Sequence, residues 1–192
     1  VKLFAFFMAR GLVLGSGLMW TLGASPLVAA LTVTDADARE RRLDEPGRVT
    51  VVIYSNPALQ DWTRRAGASL DRFQGLEDFR LVVVVDLRKT MADWATGYTI
   101  RRMQKDLDKE AERMAPFFRA KGNPDDPRSH VSAVADFKGG TSLSLGWTEP
   151  ANRKRVLVFG KDGKVFFSTE DLGDFSELQK AVQQALAGGA DD

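Results

Sequence analysis

Two apolar runs with no polar face constrain this chain more than anything else in it. They are "VTVVIY" (Val49 to Tyr54) and "FRLVVVVDL" (Phe79 to Leu87). A strand that is β-branched and apolar on both sides has to be covered on both sides, which favours a parallel sheet sandwiched between other elements. Between the runs Leu59, Trp62, Ala66, Leu70 and Phe73 recur at helical spacing, predicting a helix from Pro57 to Phe73. Asn56 suits its N-cap and Pro57 its first position. Strand, helix and strand in this order predict a right-handed parallel crossover.

Downstream, the sequence predicts a connection from Arg88 to Thr99 and then a helix from Ile100 to Lys121. Met103, Leu107, Ala111, Met114, Phe117 and Phe118 form its apolar stripe, and "GNPDDPR" ends it. The stretch "VSAVADFKGGTSLSLGW" (Val131 to Trp147) reads as a strand, a Lys-Gly-Gly turn and a second short strand. The stretch "RVLVFGKDGKVFFS" (Arg155 to Ser168) reads as a hairpin turning at Lys-Asp-Gly. Asp174 and Glu177 make a capping box for a closing helix with Phe175, Leu178, Val182 and Leu186 inward. The expected class is α/β: a three-layer sandwich with a mixed central sheet and helices on both faces.

The first 30 residues differ from the rest. Lys2 and Arg10 precede the uncharged run "GLVLGSGLMWTL", and "GASPLVAA" follows with Pro26 and small residues. Basic, apolar and small-residue regions in that order read as a secretory signal, with cleavage expected after Ala30. The protein is then expected to be periplasmic or secreted, with no stable membrane anchor once the signal is removed. Residues 31–48 read as a charged surface lead-in, partly helical at most, residues 49–187 as the folded domain, and residues 188–192 as a disordered tail.

Composition removes several classes of function. A net charge of +1 gives no long-range electrostatic reason to expect nucleic acid. The chain has no cysteine, which excludes thiol–disulfide and peroxidatic chemistry, thiolate metal sites and cysteine acylation. The single histidine, His130, reads as a surface loop residue; with Asp125 and Asp126 it lacks the ligand spacing of a metal site. Ser55 lacks a nucleophile elbow. No catalytic residue, metal or cofactor is therefore expected.

The order of buried strand, Pro-started helix, "VVVVD" strand, long helix and "RVLVFGKDGKVFF" before a closing helix resembles the thioredoxin-like superfamily. Within it, "ADFKGGTSLSLGW" followed by "RVLVFGKDGKV" resembles the peroxiredoxin-type branch, and with export the YtfJ-like periplasmic group. The resemblance covers residues 45–187. It implies that Ser55 to Gln60 occupy the place where redox members carry their cysteines. It also implies that Arg155 stands where the thioredoxin branch has a cis-proline, in the neighbourhood where peroxiredoxins carry an arginine.

The expected function is a redox-inactive module binding a protein or peptide partner. Its surface would combine Ser55, Asn56, Pro57 and Ala58 with Arg88, Trp94 and Tyr98 of the long connection, and with Arg153 and Arg155. These lie beyond the carboxyl ends of the strands, where open α/β sheets bind ligands. One alternative is a small-anion or small-molecule site, or an enzyme, using the helix start at Asn56 with Arg155. Another is an assembly subunit whose edge strand pairs with a neighbour. Trp147 is balanced between a contact surface and a plug for the end of the sheet.

Overall fold

The computed structural model describes residues 30–88, 95–148 and 152–188. The expected signal segment up to residue 29, Lys89, Trp94, Glu149 and the last four residues lie outside them.

Among the described residues seven strands and four α-helices follow one another in the order β1 (Thr32–Thr34), β2 (Glu40–Arg42), β3 (Val49–Ser55), α1 (Gln60–Ser69), β4 (Phe79–Asp86), α2 (Thr96–Ala120), β5 (Val131–Asp136), α3 (Gly140–Ser144), β6 (Val156–Phe159), β7 (Val165–Thr169) and α4 (Phe175–Leu186). The main sheet has the order β5-β4-β3-β6-β7. Strands β3, β4 and β5 run parallel, whereas β6 is antiparallel to β3 and β7 to β6. The sheet is therefore mixed, and every residue of β3 is buried at its centre.

Side-chain alternation divides this sheet into two faces. On one, Val49, Val51, Ile53, Phe79, Leu81, Val156 and Val158 pack against Trp62 and Ala66 of α1, Leu70 just after it, and Leu178, Val182 and Ala185 of α4. At the β5 end of the same face, Leu107, Met114 and Phe118 of α2 cover Val131 and Ala133. Both parallel crossovers move the same way along the sheet, so right-handedness puts α1 and α2 on one side. On the other face Val52, Tyr54, Val82, Val84, Val134, Leu157 and Phe159 meet Val33, Leu43 and Trp147. Here α3 and the hairpin β1–β2 form the third layer.

Four expectations change in detail. The first helix is interrupted: Pro57–Leu59 and Asp71–Phe73 are single 3₁₀ turns around a ten-residue α1. Helix α2 starts four residues earlier than the apolar stripe suggested, at Thr96.

The lead-in is not a partly helical surface segment. Its β1 and β2 form an antiparallel pair, and Leu43 beneath them is fully buried. The buried carboxylate of Asp35 organises the turn: Oδ1 accepts the N–H groups of Asp37 and Arg39 at 2.9 Å each, and Oδ2 accepts Arg41 Nε at 2.9 Å. Charge in the sequence here marks internal pairing and not only solvation.

The expected hairpin after β5 is a strand followed by α3. "TSLSL" alternates like a strand, but Leu143 is 61% exposed whereas Leu145 packs into the core beneath the hairpin. In a strand these two would share a face; a helix separates them. Gly139 enters the helix with φ 77°, and Asp136 Oδ2 accepts the Ser142 N–H at 2.7 Å. A buried carboxylate on an amide of the first turn of a helix satisfies one of the unpaired donors there.

The second expected hairpin forms, with a register shift between Val158 and Phe159. Asp174 caps α4 by accepting the Ser176 N–H at 2.9 Å.

Candidate functional site

At the carboxyl ends of the parallel strands, Tyr54, Asp86 and Asp136 all lie on the hairpin-covered face. Tyr54 Oη donates to Asp86 Oδ2 at 2.8 Å. The Arg88 chain folds back over the same carboxylate, with Nη2 at 2.7 Å from Oδ2 and the backbone N–H at 3.0 Å from Oδ1. Asp86 and Asp136 are register partners on adjacent strands. Burial pushes the Asp86 carboxyl up, but the bonds from the Arg88 side chain and N–H and from Tyr54 Oη outweigh it and hold it below the usual carboxylate range. A carboxylate so well satisfied is a poor proton acceptor. It anchors the strand ends.

Arg155 closes the other side of Tyr54. Its guanidinium lies 5.4 Å from the tyrosine ring centre, and Nε donates to Glu170 Oε2 at 2.7 Å. Trp147 meets the same ring edge-on, 5.5 Å between centres, and is buried. Between contact surface and plug, Trp147 is the plug. The end of the sheet is thus stoppered by a cluster in which Glu170, Arg155, Tyr54, Asp86 and Arg88 touch in turn.

The expected site residues fall in three places. Ser55 is buried, and its hydroxyl oxygen accepts from Thr63 Oγ1 at 2.9 Å. Asn56 is the cap the sequence predicted: its Oδ1 accepts the N–H groups of Ala58 at 2.9 Å and Leu59 at 3.1 Å. Its Nδ2 donates across to Asn152 Oδ1 at 3.1 Å, which ties the helix start to the loop before β6. Pro57, Ala58, Asn152 and Arg153 are exposed around this link.

Arg88 and Arg155 form the second group, their guanidinium groups engaged by Asp86 and Glu170. Tyr98 stands apart on the first turn of α2, 63% exposed. It shares a shallow groove with Arg101, Arg102, Lys105 and Lys109 of that helix.

His130 is not a surface residue but 3% exposed. Its Nδ1 lies 3.0 Å from the Phe79 carbonyl oxygen and its Nε2 3.0 Å from Asp125 Oδ2, with its ring edge against Phe118. It joins the start of β5 to β4 and α2. Asp126 turns away to cap the 3₁₀ turn Pro127–Ser129. Among the described residues no group of three or more histidine and acidic side chains could hold a metal ion. No helix among them is long and apolar enough to cross a membrane.

The residues missed by the sequence reading are Tyr54, Asp86, Asp136 and Glu170. One signal was available for two of them. Both "VVVVD" and "VSAVAD" end an apolar strand on an aspartate, and a parallel sheet sets such endings side by side.

No family model matches the chain, and no curated protein matches it. Solved structures do. A protein described as a thioredoxin from Neisseria meningitidis matches with a TM-score of 0.52 and 14% identity, over 84% of this chain and 90% of that one. A thioredoxin-like protein from Aeropyrum pernix matches with a TM-score of 0.51 and 13% identity, over 81% and 89%. A thiol:disulfide interchange protein of the thioredoxin family from Chlorobium tepidum matches with a TM-score of 0.50 and 8% identity, over 82% and 93%. The fold is thioredoxin-like, carried by a chain without cysteine.

Proposed function

We propose that this chain is an exported, redox-inactive thioredoxin-like domain of the YtfJ-like, peroxiredoxin-type group, and that it binds a protein or peptide partner at the carboxyl end of its sheet. Export rests on the basic, apolar and small-residue order of the first 30 residues.

The observation that carries the binding reading is the Asn56–Asn152 bond. It holds two segments 96 residues apart in sequence as one rim, with Pro57, Ala58 and Arg153 facing solvent on it. In redox members of this fold the start of the corresponding helix carries the cysteines that meet polypeptide substrates. Here that contact ground remains while the thiol is replaced by a cap. The stoppered cluster below keeps the rim rigid, and a preorganised surface loses less entropy on binding. Arg88 and Arg155 belong to this support. Ser55 does too, through Thr63.

The test is photo-crosslinking in the native host, with the reactive residue at Ala58 and a control at Gln184 on the exposed side of α4. A discrete adduct from Ala58 alone is the expected result, and its mass names the partner. Adducts at neither position, from protein shown to be folded and exported, would overturn the proposal.

A further inference from the structure

Helix α2 carries its charges in two ways. Some are paired: Arg113 bonds Glu110 at 2.6 Å and Asp71 at 2.7 Å, and Asp108 accepts Arg128 Nε at 3.1 Å. The basic residues from Arg101 to Lys109 are not. Arg101, Arg102, Lys105 and Lys109 are exposed, and no carboxylate among the described residues lies within ion-pairing distance of any of them.

These four form one row. Arg101, Lys105 and Lys109 recur every fourth residue with Arg102 beside them, on the side of the helix opposite the buried Leu107, Ala111, Met114 and Phe118. Tyr98, 63% exposed, begins the row, which rises about 16 Å along the axis to Lys109.

The arrangement is unfavourable for the helix itself. Like charges four residues apart repel, and the first turn holds no acidic residue to meet the positive end of the helix dipole. Packing of the opposite face holds α2 in place. The fold owes nothing to these cations.

We infer that the row is a docking surface for an acidic polypeptide segment. Charge complementarity selects this occupant. Asp106 lines the same groove as the four cations, and the exposed Asp108 and Glu112 stand at its flank and far end. An anionic membrane or a uniform polyanion would press negative charge on these carboxylates as well. A polypeptide offers carboxylates to the cations, an N–H or a lysine to Asp106 and apolar atoms to the Tyr98 ring. The ridge is one helix wide, which suits a single segment better than a flat surface. None of these residues belongs to the Asn56 rim, so binding can be lost at either surface without the other.

The experiment titrates the purified chain into a short fluorescent peptide with glutamate at every fourth position and one central lysine, read by anisotropy at low salt. The same peptide with glutamine in place of glutamate, and vesicles of phosphatidylglycerol, are titrated alongside. The expected result is binding of the acidic peptide that salt weakens, no binding of the glutamine peptide, and weaker binding of the vesicles. Arg101→Glu and Lys105→Glu each remove an attraction and add a repulsion, and each is expected to weaken peptide binding roughly tenfold. Lys180→Glu on α4 makes the same change of net charge elsewhere and is expected to leave the affinity within about twofold. Thermal melts by circular dichroism check folding; both α2 variants are expected to melt no lower than the parent, because each relieves like-charge contacts along the row. Failure of the acidic peptide to bind overturns the inference. So does binding that Arg101→Glu and Lys105→Glu leave unchanged, or that Lys180→Glu weakens as much. Tighter binding to the vesicles than to the peptide overturns it too, by assigning the row to a membrane.

Discussion

Tyr54 Oη and Asp86 Oδ2 lie 2.8 Å apart across two parallel strands, buried on the same face of the sheet. The two are 32 residues apart in the chain, and their bond joins the strand that starts the crossover to the strand that ends it. Removing only the hydroxyl leaves Asp86 held by Arg88. Tyr54→Phe is expected to lower unfolding stability by about 1–2 kcal/mol. Asp86→Ala strips the Arg88 guanidinium of its partner as well, and about 3 kcal/mol is expected. Urea titration of both variants checks the ranking; equal losses would mean that Arg88 finds another acceptor.

Acid should unfold this protein through a small number of carboxylates. For Asp35, burial raises the pKa, but the N–H of Arg39, the Arg41 guanidinium and the N–H of Asp37 outweigh burial and hold the group below its usual value. Asp86 behaves in the same way. A depressed folded value means that the unfolded chain takes up the proton first. The stability from these two groups is then fully present above the unfolded value of about 4 and is lost as pH falls below it towards the folded values. Asp86→Asn is expected to flatten that acid limb between pH 4 and 2, as measured by urea midpoints.

Gly75 and Gly47 make a controlled pair. Both have positive φ, +82° and +83°. A Cβ at Gly75 would sit 2.9 Å from Phe117 O and from the Phe118 Cα, whereas at Gly47 nothing lies within 4 Å. Gly47→Ala is expected to cost about 1 kcal/mol for the left-handed backbone alone. Gly75→Ala also forces the α2 backbone away and should cost about 2 kcal/mol more, since overpacking of this kind costs roughly 1–3 kcal/mol. Thermal melts of the two variants give the difference directly.

Trp147→Ala removes the plug beside Tyr54. A loss of about 3–5 kcal/mol is expected from the cavity and the lost edge-on contact. A variant that stayed as stable as the parent would place Trp147 outside the core. In the same melts, His130→Ala should lower stability by about 1–3 kcal/mol, because it leaves the Phe79 carbonyl unbonded inside.

The sequence by itself determined the sheet. Val49 to Tyr54 and Phe79 to Leu87 are apolar on both faces, and such runs have no stable place except between layers. It determined the Asn56 cap, the Lys-Asp-Gly hairpin and the start of α4, because those signals act over a few residues and need no distant partner. The absence of thiol chemistry follows from composition alone.

What lay beyond its reach involved choices between partners. "TSLSL" alternates well enough for a strand, and the Asp136 carboxylate, delivered by a different element, turned it into a helix. Charges of residues 31–48 read as solvated until Leu43 and Asp35 beneath them were placed. His130 looked like a loop residue because its acceptor, the Phe79 carbonyl, belongs to a strand 51 residues away. Arg88 and Arg155 belonged to the expected binding surface, yet Asp86 and Glu170 hold them. Caps and tight turns are settled locally because their partners lie within a few residues. The partner of a charged or polar side chain is set by which chain ends the packed sheet brings together, and only the tertiary structure decides that.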